Sequence, residues 1–535
     1  MDFSTEFIDY NLTGFFSKMA VDYISGNSSL QPFYNYPVSI EGVKAAINSR
    51  KNFHTDRVLL VSVLEQQYKT VKLTDKQQTN LQQLKEANTF TICTAHQPNI
   101  FTGPLFFIYK ILHVIKIAAD LEKQLPENKF VPVYYMGSED ADLDELGYIN
   151  INGIQHKWNT NQTGAVGRMK VDKAFMQLMG EVERQLAVYP SGNEIIGIIR
   201  NCYKENSTIE QATFQFVNEL FAEYGLIVLL PDNAALKRKF IPVIEKELNE
   251  GFSHTAVEAT MKNFPSEYKV QATGREINLF YLKEDKRERI ESTDDSGYKV
   301  QGKRYKADEF LNELQEHPEY ISPNVILRPV FQELILPNIV FVGGGGELAY
   351  WLELKKVFEA VSVPYPMLVL RNSFINVCKD RLKQAEELKF NITDLFKKEL
   401  DLINELVQRD SKVQLSLKKE KQQLTELYQQ LKNISGAVDN TLQQHTEALR
   451  TQALKKIEAL EKKMLRAEKK KFEAQQRHLH KLKTQLFPGD SLQERVDNIM
   501  VYYAKYGKGF IRKIYDNSLA FEQKFTILKE EKGCD

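Results

Sequence analysis

Apolar positions change their period several times along the chain. Up to about residue 90 they recur mostly at helical spacing, as in Leu59, Val63, Leu64 and then Leu81, Leu84, with breaks at Gly26-Asn27-Ser28-Ser29 and from Pro32 to Pro37. The texture then turns β-rich at Thr89-Phe90-Thr91-Ile92-Cys93-Thr94. A polar loop follows, Gly103-Pro104 opens an apolar helix from Leu105 to Leu121, and Lys129 to Met136 reads as a second strand stopped by Gly137. Strand, helix, strand in that order predicts a right-handed βαβ unit with parallel strands.

Past residue 150 a Gly- and Asn-rich stretch leads into helices from about 172 to 223, and Gly225 to Asp232 is another buried-type strand. Residues 277–305 alternate apolar and charged positions around turns at Asp294-Asp295-Ser296-Gly297 and Gln301-Gly302, predicting an antiparallel hairpin or meander. Ile339 to Val342, followed by Gly343-Gly344-Gly345-Gly346-Glu347 and a helix, returns to the core, and Met367 to Leu370 is its last strand. From 380 to 486 the period becomes seven: Leu417, Leu424, Leu431 and Val438 form one series, Ala453, Leu460, Ala467 and Ala474 another, with Ser435-Gly436 and Asp439-Asn440 near the middle. Such heptads predict a coiled coil folded back as an antiparallel hairpin. The expected class is α/β: a Rossmann-like parallel sheet over residues 1–375, interrupted by insertions at about 151–223 and 265–320, then the coil over 380–486 and a helical tail over 487–535. In that tail, Tyr502, Tyr503, Tyr506 and Phe510 are placed to dock on the body or on a partner.

Composition narrows the function classes. The 535 residues carry 71 Lys+Arg against 71 Asp+Glu, a balance that argues against a chain held wholesale on nucleic acid or an anionic membrane. No apolar run approaches the roughly 20 residues of a membrane span, and the acidic start MDFSTEFIDY lacks a secretory pattern. Cys93, Cys202, Cys378 and Cys534 are far apart with no CxxC, against a disulfide framework or structural zinc. The reading is a soluble cytoplasmic protein.

Three loops carry candidate chemistry because each follows a core strand, where ligands bind in open α/β sheets. The first is Ala95-His96-Gln97-Pro98-Asn99 leading to Thr102-Gly103-Pro104; the second is Gly137-Ser138-Glu139-Asp140-Ala141-Asp142-Leu143-Asp144-Glu145; the third is the glycine run. Any one of the acids is explained by helix capping, but five carboxylates in seven residues repel one another unless a cation or an ammonium group joins them. Either Mg²⁺ or a substrate amine satisfies that demand. Four glycines between strand and helix let backbone amides approach an anion, or form only a loose turn. No P-loop signature occurs, GxGxxG is not matched cleanly, and the His96 loop lacks the HxGH of class I synthetases.

Taken together, His96-Gln97, Phe101-Thr102-Gly103-Pro104-Leu105 with Lys110, Gly137-x-Glu139-Asp140-x-Asp142-Leu143-Asp144-Glu145, Asn324-Val325-x-x-Arg328-Pro329, Gly343-Gly344-x-Gly346-Glu347-Leu348-x-Tyr350-Trp351 and Gln493-Glu494-Arg495 resemble the BshC family of cysteine-adding enzymes in bacillithiol biosynthesis. The resemblance runs over essentially the whole chain and departs from the family pattern at Ala95, Ala141 and Gly345. It implies a ligase joining cysteine to the amine of glucosaminyl-malate, with a homodimer through the coiled coil. Carboxyl activation points to ATP with Mg²⁺. The implied catalytic residues are Asp140 and Asp142, with Glu139 behind them, holding the amine or Mg²⁺, and His96 as general base on the strength of its near-neutral pKa. Arg328 is set to pair with malate carboxylates or to serve a structural ion pair. Gly343, Gly344 and Gly346 cradle an anion beside Glu347 and Tyr350, and Gln97, Thr102, Gly103 and Lys110 complete the binding set. The competing reading is a coiled-coil RNA-binding or scaffold protein on a degenerate nucleotide-binding core, supported by the basic run from Arg450 to Lys483.

Overall fold

The computed structural model describes residues 3–271, 274–294 and 297–531; Asp295 and Ser296 of the expected turn, and Cys534, lie outside the described residues. At its centre five strands run parallel: β1 (Thr89–His96), β2 (Lys129–Met136), β3 (Ile227–Leu229), β4 (Asn338–Gly343) and β5 (Met367–Leu370). They lie in the order β5-β4-β1-β2-β3. Each but the Thr-rich β1 is a near-continuous apolar run because both of its faces are covered, the pattern expected of a parallel sheet sandwiched by helices. The chain proceeds outward from β1 in one direction, then crosses back to β4, so the order reverses between β1 and β4. That reversal opens a crevice beyond the strands' carboxyl ends.

Three helices matter for the site. The crossover helix α1 (Phe106–Gln124) links β1 to β2, α2 (Arg328–Ile335) precedes β4, and α3 (Gly345–Glu353) follows it. Residues 1–90 are mainly helical as expected, but they begin with a strand, Phe3–Ile8. It pairs antiparallel with Phe525–Glu530, which also pairs in parallel with Phe374–Val377, so the tail ends in a strand and not only in helices. The 277–305 segment divides between two small sheets. The hairpin Leu279–Lys283 with Lys286–Arg289 joins Ile321–Pro323, while Tyr298–Val300 pairs with Glu291–Ser292 and Lys303–Tyr305.

The heptad region is not one uninterrupted coil. Helices Lys379–Glu387 and Glu399–Asp410 pack first, and the arm proper is α4 (Lys418–Val438) with α5 (Leu442–Lys469). It is antiparallel: Lys421 bridges Glu461 at 2.9 Å, Lys432 reaches Glu447 at 3.4 Å and Ser435 meets Thr446 at 2.9 Å. The turn falls at Asp439, whose Oδ1 accepts from the Thr441 amide at 2.8 Å, while Ser435-Gly436 stay helical. The tail docks on the body as one of the two alternatives expected: Tyr503 is buried and donates to Glu194 at 2.7 Å. Cys93 and Cys202 are buried free thiols, whereas Cys378 is disulfide-bonded. Among the described residues, no helix is long and apolar enough to cross a membrane.

Candidate active site

The loop after β1 is forced into an unusual shape. Phe101, Thr102 and Gly103 stand consecutively at φ 48°, 70° and 62°, a left-handed run that only the glycine tolerates without strain. A Cβ on Gly103 would lie 2.8 Å from that of Asn99. The tail holds the turn: Asn498 donates to the carbonyls of Phe101 and Gly103 at 3.0 and 2.6 Å. Thr102 and Gly103 therefore shape the loop and do not line the cavity, contrary to the binding role expected of them. Lys110 is also behind the wall. Its fully buried ammonium donates to the Ala95 carbonyl at 2.5 Å and to Glu347 at 2.7 Å.

His96 closes β1 at the cavity wall, its ring between Phe106 and Phe107 at centroid distances of 5.3 and 5.2 Å. Burial, with Lys110 and Arg371 nearby, holds its pKa well below the usual imidazole value. The near-neutral pKa expected of it is therefore corrected: His96 is a neutral ring at physiological pH, and its Nε2 has no hydrogen-bond partner. Gln97 reaches from this loop to the next, donating to Asp140 Oδ2 at 3.1 Å.

The acidic loop after β2 separates by role. Glu139 is buried and ion-paired to Lys237, which also meets Asp232 at 2.7 Å. Asp140 faces the cavity. Asp142 does not: it is exposed and caps the short helix Leu143–Leu146, accepting the Glu145 amide at 3.1 Å. Asp144 is on the surface with Lys157 at 2.8 Å. The pairing of Asp140 and Asp142 around an amine or Mg²⁺ is thus corrected, because the capping geometry turns Asp142 outward. Glu145, not singled out before, lines the cavity instead, its pKa raised by burial and by Asp140 and Asp142. Among the described residues no three His, Cys, Asp or Glu side chains converge as metal ligands.

Across the crevice, α3 starts at the glycine run. Gly344 and Gly346 line the cavity; Gly343 is packed behind them, where a Cβ would meet Phe341 at 2.9 Å. The Gly344 amide already donates to Glu347 at 2.9 Å, so the chain's own carboxylate occupies part of the expected cradle. Arg328 lies at the start of α2, donates to the Tyr350 hydroxyl at 2.8 Å and to Gln332 at 3.2 Å, and stands 5.6 Å over the Tyr135 ring. Its role as a structural ion pair is not seen; its partners are neutral.

Together these elements enclose a cavity of about 640 Å³ at the carboxyl ends of the strands. It brings together His96, Gln97, Glu139, Asp140, Arg328, Gly344, Gly346, Glu347 and Tyr350 from the sequence-derived set. It adds Phe106, Tyr135, Arg287, Arg371 and Arg495. Arg371 directly follows β5, so the rule that drew attention to the other strand ends also applies to it. Arg287 comes from an inserted hairpin and carries no local signal, whereas Arg495 comes from the tail motif Gln493-Glu494-Arg495 that forms part of the family resemblance. The Arg371 and Arg495 guanidiniums sit 5.3 and 5.4 Å from the Phe106 ring; Arg371 is neutralised by Glu494 at 2.6 Å. Among the described residues Arg287, Arg328 and Arg495 have no carboxylate within ion-pair distance, and Asp140 and Glu145 have no cation.

This is a Rossmann-like α/β protein with a coiled-coil arm and a charged ligand cavity at the switch point of its sheet. Residues 3–372 match the family description "Bacillithiol biosynthesis BshC, N-terminal Rossmann-like domain" and residues 377–530 match "Bacillithiol biosynthesis BshC, C-terminal coiled-coil domain". The chain belongs to the BshC family. It is 36% identical to a protein of Flavobacterium johnsoniae over 98% of this chain and 99% of that one, and 37% identical to one of Christiangramia forsetii over the same shares. A Bacillus cereus protein is 24% identical over 96% of this chain and 98% of its own length. All three bear the provisional name cysteine ligase BshC.

Proposed function

We propose that this chain is a ligase that joins the carboxyl of cysteine to the amine of glucosaminyl-malate, forming bacillithiol. The observation that carries the reading is the division of charge in one cavity: Arg328 and Arg495 against Asp140 and Glu145, none of them ion-paired, with Arg287 standing on the acidic side near Glu139 and Asp140. The malate carboxylates match the guanidiniums, which bind such groups as planar forks, and the ammonium group matches the acids. To attack, the amine must lose a proton; burial with Lys110 and Arg371 nearby disfavours the protonated form of His96, so the ring is not assigned as the group that keeps it. Activation of the cysteine carboxyl is assigned to ATP. The cavity fits an anionic group where Arg495 and Arg371 flank the start of α3, but Asp140 and Asp142 do not form a Mg²⁺ site, so no step is routed through the metal.

The test is ligation by the purified protein, with the thiol product identified by mass spectrometry and cysteine-dependent pyrophosphate–ATP exchange followed in parallel. Asp140→Ala and Arg495→Met should each lower the yield by about a hundredfold, since both remove a positioning charge. A wild-type protein that makes no thiol overturns the assignment; product without nucleotide consumption overturns ATP alone.

We infer also that the arm joins two copies. Leu427, Leu431, Ile434 and Val438 form a stripe on α4 that is 42–80% exposed, while the contacts that close the hairpin run through Lys421, Lys432 and Ser435. Spacings of four, three and four residues are those of a coiled-coil seam awaiting a partner helix. Light scattering should give a dimer for the wild type and a monomer for the double variant Leu431→Glu, Ile434→Glu; a monomeric wild type overturns the inference.

A further inference from the structure

Behind Glu139 lies a row of alternating charges, buried at Lys237 and Asp232 and reaching the surface at Arg168, that no part of the ligation scheme uses. Glu139 meets Lys237, whose side chain is 2% exposed; Lys237 meets Asp232 at 2.7 Å; and Asp232 accepts a two-pronged contact from Arg168, at 2.7 and 2.9 Å. The residues come from separate places: Glu139 from the loop after β2, Asp232 from the loop after β3, Lys237 from the helix Ala234–Arg238, and Arg168 from the inserted segment. Lys237 and Arg168 each also donate to the Glu319 carbonyl at 3.3 Å, which fixes the far end. Only Glu139, at one end of the row, lines the cavity.

We propose that Lys237 is a positioning residue that holds the Glu139 carboxylate ionised and immobile in the cavity, itself seated by Asp232 and Arg168, making Glu139 part of the subsite for the substrate ammonium. This rests on the ligase reading, and it adds three residues that touch no substrate. A carboxylate in so dry a place would take up a proton on its own. Burial does raise the Glu139 pKa, Lys237 opposes that shift, and Asp232 adds to it. Asp232 itself is held to about 2 by Lys237 and Arg168 against its own burial. The other charged groups facing Glu139 are Arg287, from the inserted hairpin, and Asp140, on its own loop. Glu210, from the helix Ile209–Phe221, is pushed up to about 7 by burial and the neighbouring acids, so it adds little negative charge below neutrality.

Because Lys237 and Asp232 act on Glu139 with opposite sign, their removal should have opposite effects. Calorimetric binding of glucosaminyl-malate is measured for wild type, Lys237→Met, Lys237→Arg and Asp232→Asn, at about pH 6 and about pH 8.5, and each variant is expressed relative to wild type at the same pH. Lys237→Met should bind about tenfold or more weakly at the lower pH and recover at the higher one, where Glu139 ionises unaided. Lys237→Arg should stay near wild type. Asp232→Asn should bind as tightly as wild type or tighter at about pH 6, because Lys237 then acts on Glu139 alone. A merely structural row would weaken both neutralising variants equally at both pH values, and that result overturns the proposal. If Lys237→Met does not fold, folded Asp232→Asn decides: weakened binding at both pH values overturns the proposal, and retained binding supports it. A wild type that binds no glucosaminyl-malate overturns the ligase reading and this one with it.

Discussion

His113, on the inner face of α1, is a neutral imidazole by construction. Its Nδ1 accepts from the Asn372 amide at 3.1 Å, which leaves Nε2 to donate to the Ala520 carbonyl at 2.8 Å. A second ring proton would point at the Asn372 N–H. Burial and the nearby Arg371 act in the same direction, and the pKa falls to about 4. An unfolded histidine titrates near 6.5, so the unfolded chain binds a proton that the folded chain refuses as pH drops below that value. Stability is therefore complete above about pH 6.5 and is lost progressively toward about pH 4, by up to about 3 kcal/mol from this residue. Urea unfolding at about pH 7 and about pH 4 should show His113→Gln losing about 3 kcal/mol less than wild type over that interval; equal losses would remove His113 as the cause. His96 shares the direction of shift but not the partners: its Nε2 is buried without a hydrogen bond, whereas both nitrogens of His113 are engaged.

At the scale of single elements, the glycine run shows that neighbouring identical residues serve different ends. A Cβ on Gly343 would press on Phe341 at 2.9 Å and on Glu347 at 3.1 Å, and Phe341 is stacked on Trp351 at 4.3 Å and has nowhere to go. Gly343→Ala should cost about 1–3 kcal/mol by overpacking. A Cβ on Gly346 meets nothing within 4 Å, and alanine is the better helix former by about 1 kcal/mol. Gly346→Ala should therefore melt no lower than wild type yet bind substrate more weakly, since its methyl enters the cavity; unchanged affinity would exclude this turn from the ligand's path. Sequence made the position of this turn legible, because β4 is an unbroken apolar run ending in glycine. Apolar runs likewise reveal β2, β3 and β5, and β1 shows itself instead by β-branched Thr and Ile interspersed with Phe and Cys. The sequence could not show which glycine packs and which faces the cavity, as that depends on Phe341 and Trp351 across the layer. The acidic loop failed for a related reason: spacing alone does not distinguish Asp140, turned inward and held by Gln97, from Asp142, turned outward as a cap. Heptads on α4 identified the helix, but the hairpin closes on its polar side and leaves the apolar stripe outward, which no period within one chain reveals.

For the molecule as a whole, the cavity belongs to both ends of the chain. Arg371 ends the sheet, but its buried charge is balanced by Glu494 at 2.6 Å, and Ser373 and Phe374 bond the same carboxylate at 3.2 and 3.3 Å. The neighbouring Arg495 supplies a cavity cation, and Asn498 clamps the strained turn at Phe101 to Gly103. Phe525–Glu530 then pairs with the strand that opens the chain, Phe3–Ile8. The two matched spans, 3–372 and 377–530, are therefore distinct in sequence but not independent in folding. A fragment ending at residue 372 would leave Arg371 buried without its carboxylate, a defect of about 3–5 kcal/mol in comparable pairs. It would also expose the edge of Phe3–Ile8 and release the loop after β1. Against a whole-domain stability of about 5–15 kcal/mol, these losses together should prevent a cooperative fold. Circular dichroism melts of the fragment should show no sharp transition, and adding residues 373–531 as a separate chain, which carries the strand Phe374–Val377 as well as Glu494, should restore one. A fragment that melts cooperatively by itself, near the temperature of the full chain, would show that the tail decorates the cavity rather than completing it.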